Sequence, residues 1–244
     1  MKKTEFLKNG YLVRDDFLSK EQCSQLLNHI KNFQNSEELP IIYRENSDRP
    51  LHYKVINGLQ IKNSLQEIEN LYRDRINKFI CDISNLSLVP LNNEIIGANV
   101  NITPSGGTYR WHYDRNSVTA LIYLNEVDGG ELELYPLYRI TSPFNKFSFL
   151  QKALDLLLMS KPIRFVFGKK VSIKPIEGRL VVMIGNRCLH SVNSVIGSEE
   201  RVNVVLSYDV LDNQDASNDN LDNYLYTQIK VTSSDPNYQK EIRK

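Results

Sequence analysis

The 244-residue sequence predicts an α+β domain in which a β sandwich or small barrel is packed on N-terminal helices. Three observations predict it. Early in the chain, apolar residues recur at helical spacing behind two sequences of capping-box form. From about residue 96 the pattern changes to short runs rich in Val, Ile, Leu and Tyr. Gly106-Gly107, Gly129-Gly130 and Gly178 punctuate those runs where turns are needed.

Tyr11-Leu12-Val13 reads as a short strand. Ser19-Lys20-Glu21-Gln22 then opens a first helix with Cys23, Leu26, Leu27 and Ile30 on one face. Residues 36–60 mix Arg44, Arg49, Pro50, His52 and Tyr53 without a clean period, which predicts a loop or short strands. Ser64-Leu65-Gln66-Glu67 reads as a second capping box. It starts a longer helix whose Leu65, Ile68, Leu71, Tyr72, Ile76, Phe79 and Ile80 recur at three-and-four spacing, a face that should lie on a sheet. The β-rich runs are residues 96–102, 118–124, 131–135, 163–167, 180–184 and 201–208. An apolar, helix-like piece at 144–160 interrupts them and reads as a helix covering the core, ahead of a substrate lid or a dimer contact. Beyond Asp212 the chain turns polar, so residues 213–244 are expected to be a loosely held tail on a single domain spanning 1–212.

Composition narrows the function classes. Thirty basic against 29 acidic side chains give a formal charge of +1, which supplies no general attraction to nucleic acid or anionic lipid. Cys23, Cys81 and Cys188 are odd in number and far apart, with no Cys-x-x-Cys spacing, which argues against a disulfide framework or a thiolate zinc site. No stretch has the apolar length of a signal peptide or membrane span. The expectation is a cytoplasmic protein with reduced thiols that binds neither nucleic acid nor membrane.

The chain has four histidines, so each can be weighed. His29 within the first helix and His52 in the irregular region read as surface or packing residues. His112 is different, because Asp114 follows two residues later on an extended backbone and projects to the same side. His190 follows the strand at 180–184 through the turn Gly185-Asn186-Arg187 and can reach the same point. Two imidazoles and one carboxylate on one face of an octahedral ion leave three positions open, enough for a bidentate 2-oxo acid and dioxygen on iron(II). Zinc accepts the same donors, so the triad alone leaves the metal open. Arg201, eleven residues after His190, heads a strand from which its guanidinium can take a carboxylate through two parallel bonds, with Tyr123 placed to donate a third.

Six segments in order carry a family resemblance. They are Asp16-Phe17-Leu18-Ser19 with Cys23, Gly107 through Asp114, Leu121-Ile122-Tyr123-Leu124-Asn125, Gly129-Gly130-Glu131-Leu132, Gly178-Arg179-Leu180-Val181-Val182, and His190-Ser191-Val192. Over roughly residues 10–210 the chain resembles the prolyl 4-hydroxylase-like branch of the iron(II)/2-oxoglutarate dioxygenases. The resemblance implies a distorted double-stranded β-helix, or jelly roll, over about 91–212, behind a helical part over about 1–90. It implies His112, Asp114 and His190 as iron ligands, and Arg201 with Tyr123 on the distal carboxylate of 2-oxoglutarate, with O2 as oxidant. Because relatives that transfer chloride lack the ligand carboxylate, Asp114 implies hydroxylation as the default outcome. This sequence departs from the pattern in two places. Arg201 stands where many relatives have lysine, after a slightly longer interval, and an inserted segment at about 136–170 replaces a short connection.

A small-molecule substrate is the expectation, such as an amino acid or a natural-product intermediate. A peptide substrate, with hydroxylation of prolyl or other protein residues, is the alternative. Arg115 and Trp111 are the candidate substrate-binding residues, with Arg110 and Tyr113 weighed as ion-paired or packing residues. Two readings of another class compete: a non-catalytic jelly-roll binding module, and a zinc hydrolase. The hydrolase lacks a His-Glu-x-x-His helix, and a module has no use for the triad together with Arg201.

Overall fold

The computed structural model describes residues 2–45, 49–143, 148–212 and 225–226. In chain order the strands are β1 Tyr11–Arg14, β2 Ile41–Arg44, β3 Leu51–Ile56, β4 Leu88–Pro90, β5 Ala98–Thr103, β6 Tyr109–His112 and β7 Val118–Tyr123. They continue as β8 Asp128–Gly129, β9 Leu132–Tyr135, β10 Val171–Ile173, β11 Leu180–Met183, β12 Leu189–Val192, β13 Val195–Ile196 and β14 Arg201–Val210. The helices are α1 Lys2–Asn9, α2 Lys20–Ser36, α3 Gly58–Ser64, α4 Gln66–Asn70, α5 Asn77–Ser84, α6 Phe149–Met159 and α7 Lys161–Phe167, with a π-helical stretch Leu71–Ile76 joining α4 to α5.

The described strands form an eight-stranded sheet in the order β1-β11-β7-β14-β5-β3-β2, with β4 added on β14, a second sheet in the order β10-β9-β12-β6, and a two-stranded pair of β13 and β8. Every strand pairing among the described residues is antiparallel, as in the double-stranded β-helix expected from sequence, and the described strands do not close into a barrel. Alternation along the large sheet decides what each face does. Val202, Val204, Leu206 and Tyr208 of β14 join Val100 and Ile102 of β5 and Ala120 and Ile122 of β7 in the main core. Cys23, Leu26 and Ile30 of α2, with Ile68, Tyr72, Ile76 and Ile80, cover that face. The intervening residues of β14 and β5, among them Arg201, Asn203, Asn99 and Asn101, line a cavity on the other face.

The capping box at Ser19 forms as its sequence predicts, with Ser19 and Gln22 exchanging backbone and side-chain bonds of 3.2 and 3.1 Å. The one at Ser64 does not form. The box lies one helix earlier, between Asn57 and Gln60 at 2.9 and 3.0 Å, and Ser64 is the last residue of α3, so its side chain cannot cap the start of a helix. Within the π-helical stretch, the Tyr208 hydroxyl donates to the Tyr72 carbonyl at 2.8 Å.

Residues 163–167, expected as a strand, are helical in α7. Ser160 and Pro162 set a helix start there, and this local signal overrides the β propensity of Ile163, Phe165 and Val166. The helix expected in 144–160 is α6, although residues 144–147 lie outside the described residues. Its polar side faces inward. Asp155 and Gln151 are buried, with Arg139 gripping Asp155 through two nitrogens, while Phe149 and Phe165 stand 89 % and 87 % exposed. The apolar face of this segment therefore does not cover the core.

Most of the expected tail lies outside the described residues. Leu225 and Tyr226 do not behave as a loose tail: Tyr226 is buried against Ile42, Leu51, Tyr53 and Val55.

Candidate metal centre and co-substrate cavity

β6 and β12 are neighbours in the second sheet, and His112 is paired directly with His190 across them. The two rings therefore lie with centroids 4.1 Å apart. In each, Nδ1 is bonded at 2.9 Å to a backbone carbonyl two residues earlier, Arg110 for His112 and Cys188 for His190. That bond fixes the tautomer and turns Nε2 toward Asp114, whose Oδ1 lies 3.3 Å from His112 Nε2 and 3.5 Å from His190 Nε2.

Asp114 is itself fixed from two sides. The Thr119 hydroxyl donates to Oδ2 at 2.5 Å, and the Asp114 backbone N–H donates to Gly185 at 3.1 Å. Gly185 is required at that point, since a Cβ would come within 2.9 Å of Thr119 Oγ1 and two Asp114 atoms. Asn116 donates to Thr119 at 2.9 Å and completes the support.

The three side chains offer ligand atoms within 4.8 Å of one another and could hold one metal ion. Their electrostatics agree. Burial disfavours the Asp114 carboxylate, but the two imidazoles outweigh it and hold the carboxyl well below its usual range. Burial and the neighbouring His190 push His112 down, while Asp114 overcomes burial at His190 and raises it. A fixed anion between two imidazoles with outward-facing Nε2 atoms is the donor chemistry of a divalent iron or zinc site.

The cavity holding these residues has a volume of about 160 Å³. Arg201 reaches into it from the first position of β14 and is 2 % exposed. Its Nη1 donates to Asn203 at 2.6 Å, but Nε and Nη2 are buried without a hydrogen-bond partner. The guanidinium carbon sits 5.0 Å from the centre of the Tyr123 ring, and the Tyr123 hydroxyl is likewise buried and unpartnered. Burying these donors unpaired is costly, so they call for an anionic acceptor, and a carboxylate suits the planar guanidinium. Gly130, at φ +62°, makes room for them: a Cβ there would lie 2.7 Å from Arg201 Cδ.

The sequence-predicted residues divide cleanly. His112, Asp114, His190 and Arg201 come together around the cavity, with Tyr123 beside Arg201. Arg115 also lines it, whereas Trp111 and Tyr123 do not. Trp111 alternates with His112 along β6 and points to the opposite side, between Arg164 at 4.4 Å and Arg49 at 5.1 Å and against Tyr135. His29 bonds Glu67 at the surface, and His52 meets Tyr43 edge-on, both away from the centre. Sequence reading missed Thr119, Asn116, Asn99, Leu225 and Tyr226. Inward alternation on β5 and β7 could have found Thr119 and Asn99; no local signal marks Leu225 or Tyr226.

Residues 98–208 match the 2OG-Fe(II) oxygenase superfamily. No curated protein matches the chain. Among solved structures the chain is similar to the epimerase SnoN in complex with Fe3+, alpha ketoglutarate and nogalamycin RO, at 13% identity and TM-score 0.62, over 85% of this chain and 81% of that one. It is also similar to a Pseudomonas putida prolyl-4-hydroxylase, at 19% identity and TM-score 0.55, over 85% and 96% of the two chains. A third is the Trichoplax adhaerens prolyl hydroxylase in complex with a hypoxia inducible factor peptide, at 18% identity and TM-score 0.57, over 89% and 91%. At these identities the likeness establishes the shared fold.

Proposed function

We propose, from the match of residues 98–208 to the 2OG-Fe(II) oxygenase superfamily, that the protein is such an oxygenase and hydroxylates an unactivated carbon of a small molecule. His112, Asp114 and His190 hold the iron, and Arg201, assisted by Tyr123, grips the distal carboxylate of 2-oxoglutarate. The observation that carries the reading is the conjunction, around one cavity, of a three-ligand cluster with a buried guanidinium two of whose nitrogens lack partners. When bound, iron(II) with 2-oxoglutarate couples oxidative decarboxylation to succinate and carbon dioxide with placement of one atom of dioxygen in a substrate C–H bond.

The chain's own residues supply positioning. The carbonyls of Arg110 and Cys188 keep both Nε2 atoms free to ligate, and Thr119 holds one carboxylate oxygen so that the other faces the imidazoles. Walls formed by Leu121, Leu132, Met183 and Val192 keep water from the co-substrate. The seating of Leu225 and Tyr226 in the cavity wall favours a small substrate. A peptide substrate is the second reading, favoured by the likeness to the peptide-bound Trichoplax enzyme. Buried Cys23 and Cys188 thiols suit the cytoplasm, and no described helix is long and apolar enough to cross a membrane.

The test is incubation with iron(II), ascorbate, 2-oxoglutarate and panels of amino acids, ring compounds and peptides. Succinate release should accompany a mass gain of one oxygen on a small molecule and be lost in Asp114→Ala. Unchanged 2-oxoglutarate turnover in that variant would contradict the ligand assignment, and oxygen gained on peptides alone would select the second reading.

A further inference from the structure

Away from Arg201, the cavity changes character. Tyr109 packs on His112 with centroids 4.8 Å apart, and Tyr53 stacks on Tyr109 at 5.3 Å and 28°. A continuous aromatic wall thus runs outward from the metal ligands. Facing the same space are Leu225 and Tyr226, which come from far beyond the last strand yet are fixed in place. The Tyr53 hydroxyl donates to the Leu225 carbonyl at 2.9 Å, and the Asn99 amide nitrogen donates to the Tyr226 hydroxyl at 3.1 Å. Tyr226 is 8 % exposed. The other end of the Asn99 amide, Oδ1, is buried without a hydrogen-bond partner, on a residue that lines the cavity and is 6 % exposed.

Neither the iron ligands nor the Arg201 grip uses these groups. Phenolic rings give planar, weakly polar walls that suit another flat ring, and an unpartnered amide end seeks one hydrogen bond. Resting on the oxygenase reading, we propose that Tyr53, Tyr109 and Tyr226 form a substrate subsite for a small planar ring bearing one hydrogen-bonding group. The Asn99 amide receives that group, and Tyr226 serves as the specificity-determining residue supplied by the C-terminal segment. The ring then lies along Tyr109 beside His112, at the reacting end of the cavity.

Phenol and toluene, which differ only in a hydroxyl against a methyl, are the probes. They are added without oxygen to protein carrying manganese(II) and 2-oxoglutarate, and their proton relaxation is compared with that on the zinc(II)-loaded protein. Calorimetry of 2-oxoglutarate binding runs in parallel. The expected result is manganese-enhanced relaxation of phenol, with affinity about 3- to 10-fold above that for toluene, as one added hydrogen bond gives. Asn99→Leu should bring phenol to the level of toluene. Tyr226→Ala should weaken both by about tenfold or more, while Tyr226→Phe, the gentler change should Ala perturb folding, keeps toluene bound.

Phenol binding that ignores Tyr226→Ala, or no enhancement of phenol on protein that binds 2-oxoglutarate, overturns the subsite. Failure to bind 2-oxoglutarate, with phenol still held through Tyr226, would instead sink the oxygenase reading and leave the subsite standing. Failure of both sinks both.

Discussion

Replacing Arg201 separates co-substrate binding from folding. Its Nε and Nη2 have no partner, so the reading assigns two charge-assisted hydrogen bonds to the distal carboxylate of 2-oxoglutarate. At about 1.5–3 kcal/mol each, Arg201→Met should lose about 3–6 kcal/mol, or about 10²- to 10⁴-fold in Kd for 2-oxoglutarate. Arg201→Lys keeps the charge but not the planar fork, and should lose about 10- to 100-fold. Stability should move differently. A guanidinium 2 % exposed with two free nitrogens destabilises the protein before any ligand binds, and methionine removes that desolvation. Loss of the bond to Asn203, made by the same charged group, offsets about 1.5–3 kcal/mol, so ligand-free Arg201→Met should melt close to the wild-type temperature. The assays are calorimetric titration of 2-oxoglutarate onto manganese(II)-loaded protein and thermal unfolding of the metal-free protein. Wild-type affinity in Arg201→Met, or a metal-free variant several kcal/mol less stable, would make Arg201 a structural residue and not the carboxylate grip.

Three further outcomes are expected. Glu133 is buried and held below its ordinary value of 4.5, because Lys170 and Arg49 together outweigh burial. Its lowered folded pKa makes the contribution complete above about 4.5, so Glu133→Gln should cost about 1–3 kcal/mol at pH 7 by chemical denaturation, with the gap closing as pH falls below that value; a gap independent of pH would contradict the ion-pair account. Burial, with Glu177 nearby, pushes the Cys23 thiol up to about 11, so at pH 8 iodoacetamide should modify half-buried Cys81 and leave Cys23 intact until the protein unfolds, as peptide mass mapping would read. Phe165→Ser on the exposed side of α7 should change stability by no more than about 0.5 kcal/mol in urea titration; a larger loss would mean the ring is buried in solution.

Legibility in the sequence followed the range of the signal. His112 and Asp114 sit two apart, which made the pair legible, but Asp114 lies past the end of β6 and is held in place by Thr119 and Gly185. His190 became visible because one apolar strand and one glycine turn precede it. Arg201 was legible as the inward first residue of a strongly patterned strand. The same alternation rule removes Trp111 from the cavity, since a neighbour of an inward-facing residue on a strand faces out. Propensity misled where a local helix start competes with it: Pro162 in the first turn begins α7 through a run that reads as strand. The Ser64 box failed because Asn57 begins a helix that uses Ser64 as its end. Tyr208 taking the Tyr72 carbonyl, and Tyr226 seated over Asn99, are bonds across 136 and 127 residues, which no local pattern encodes.

The most direct test adds iron(II) and then 2-oxoglutarate to metal-free protein without oxygen and records the visible spectrum. Chelation of the 2-oxo acid on a two-histidine, one-carboxylate iron site should give a weak metal-to-ligand charge-transfer band, absent in His112→Ala and His190→Ala. A wild-type protein that shows no band while binding zinc(II) tightly would contradict the account.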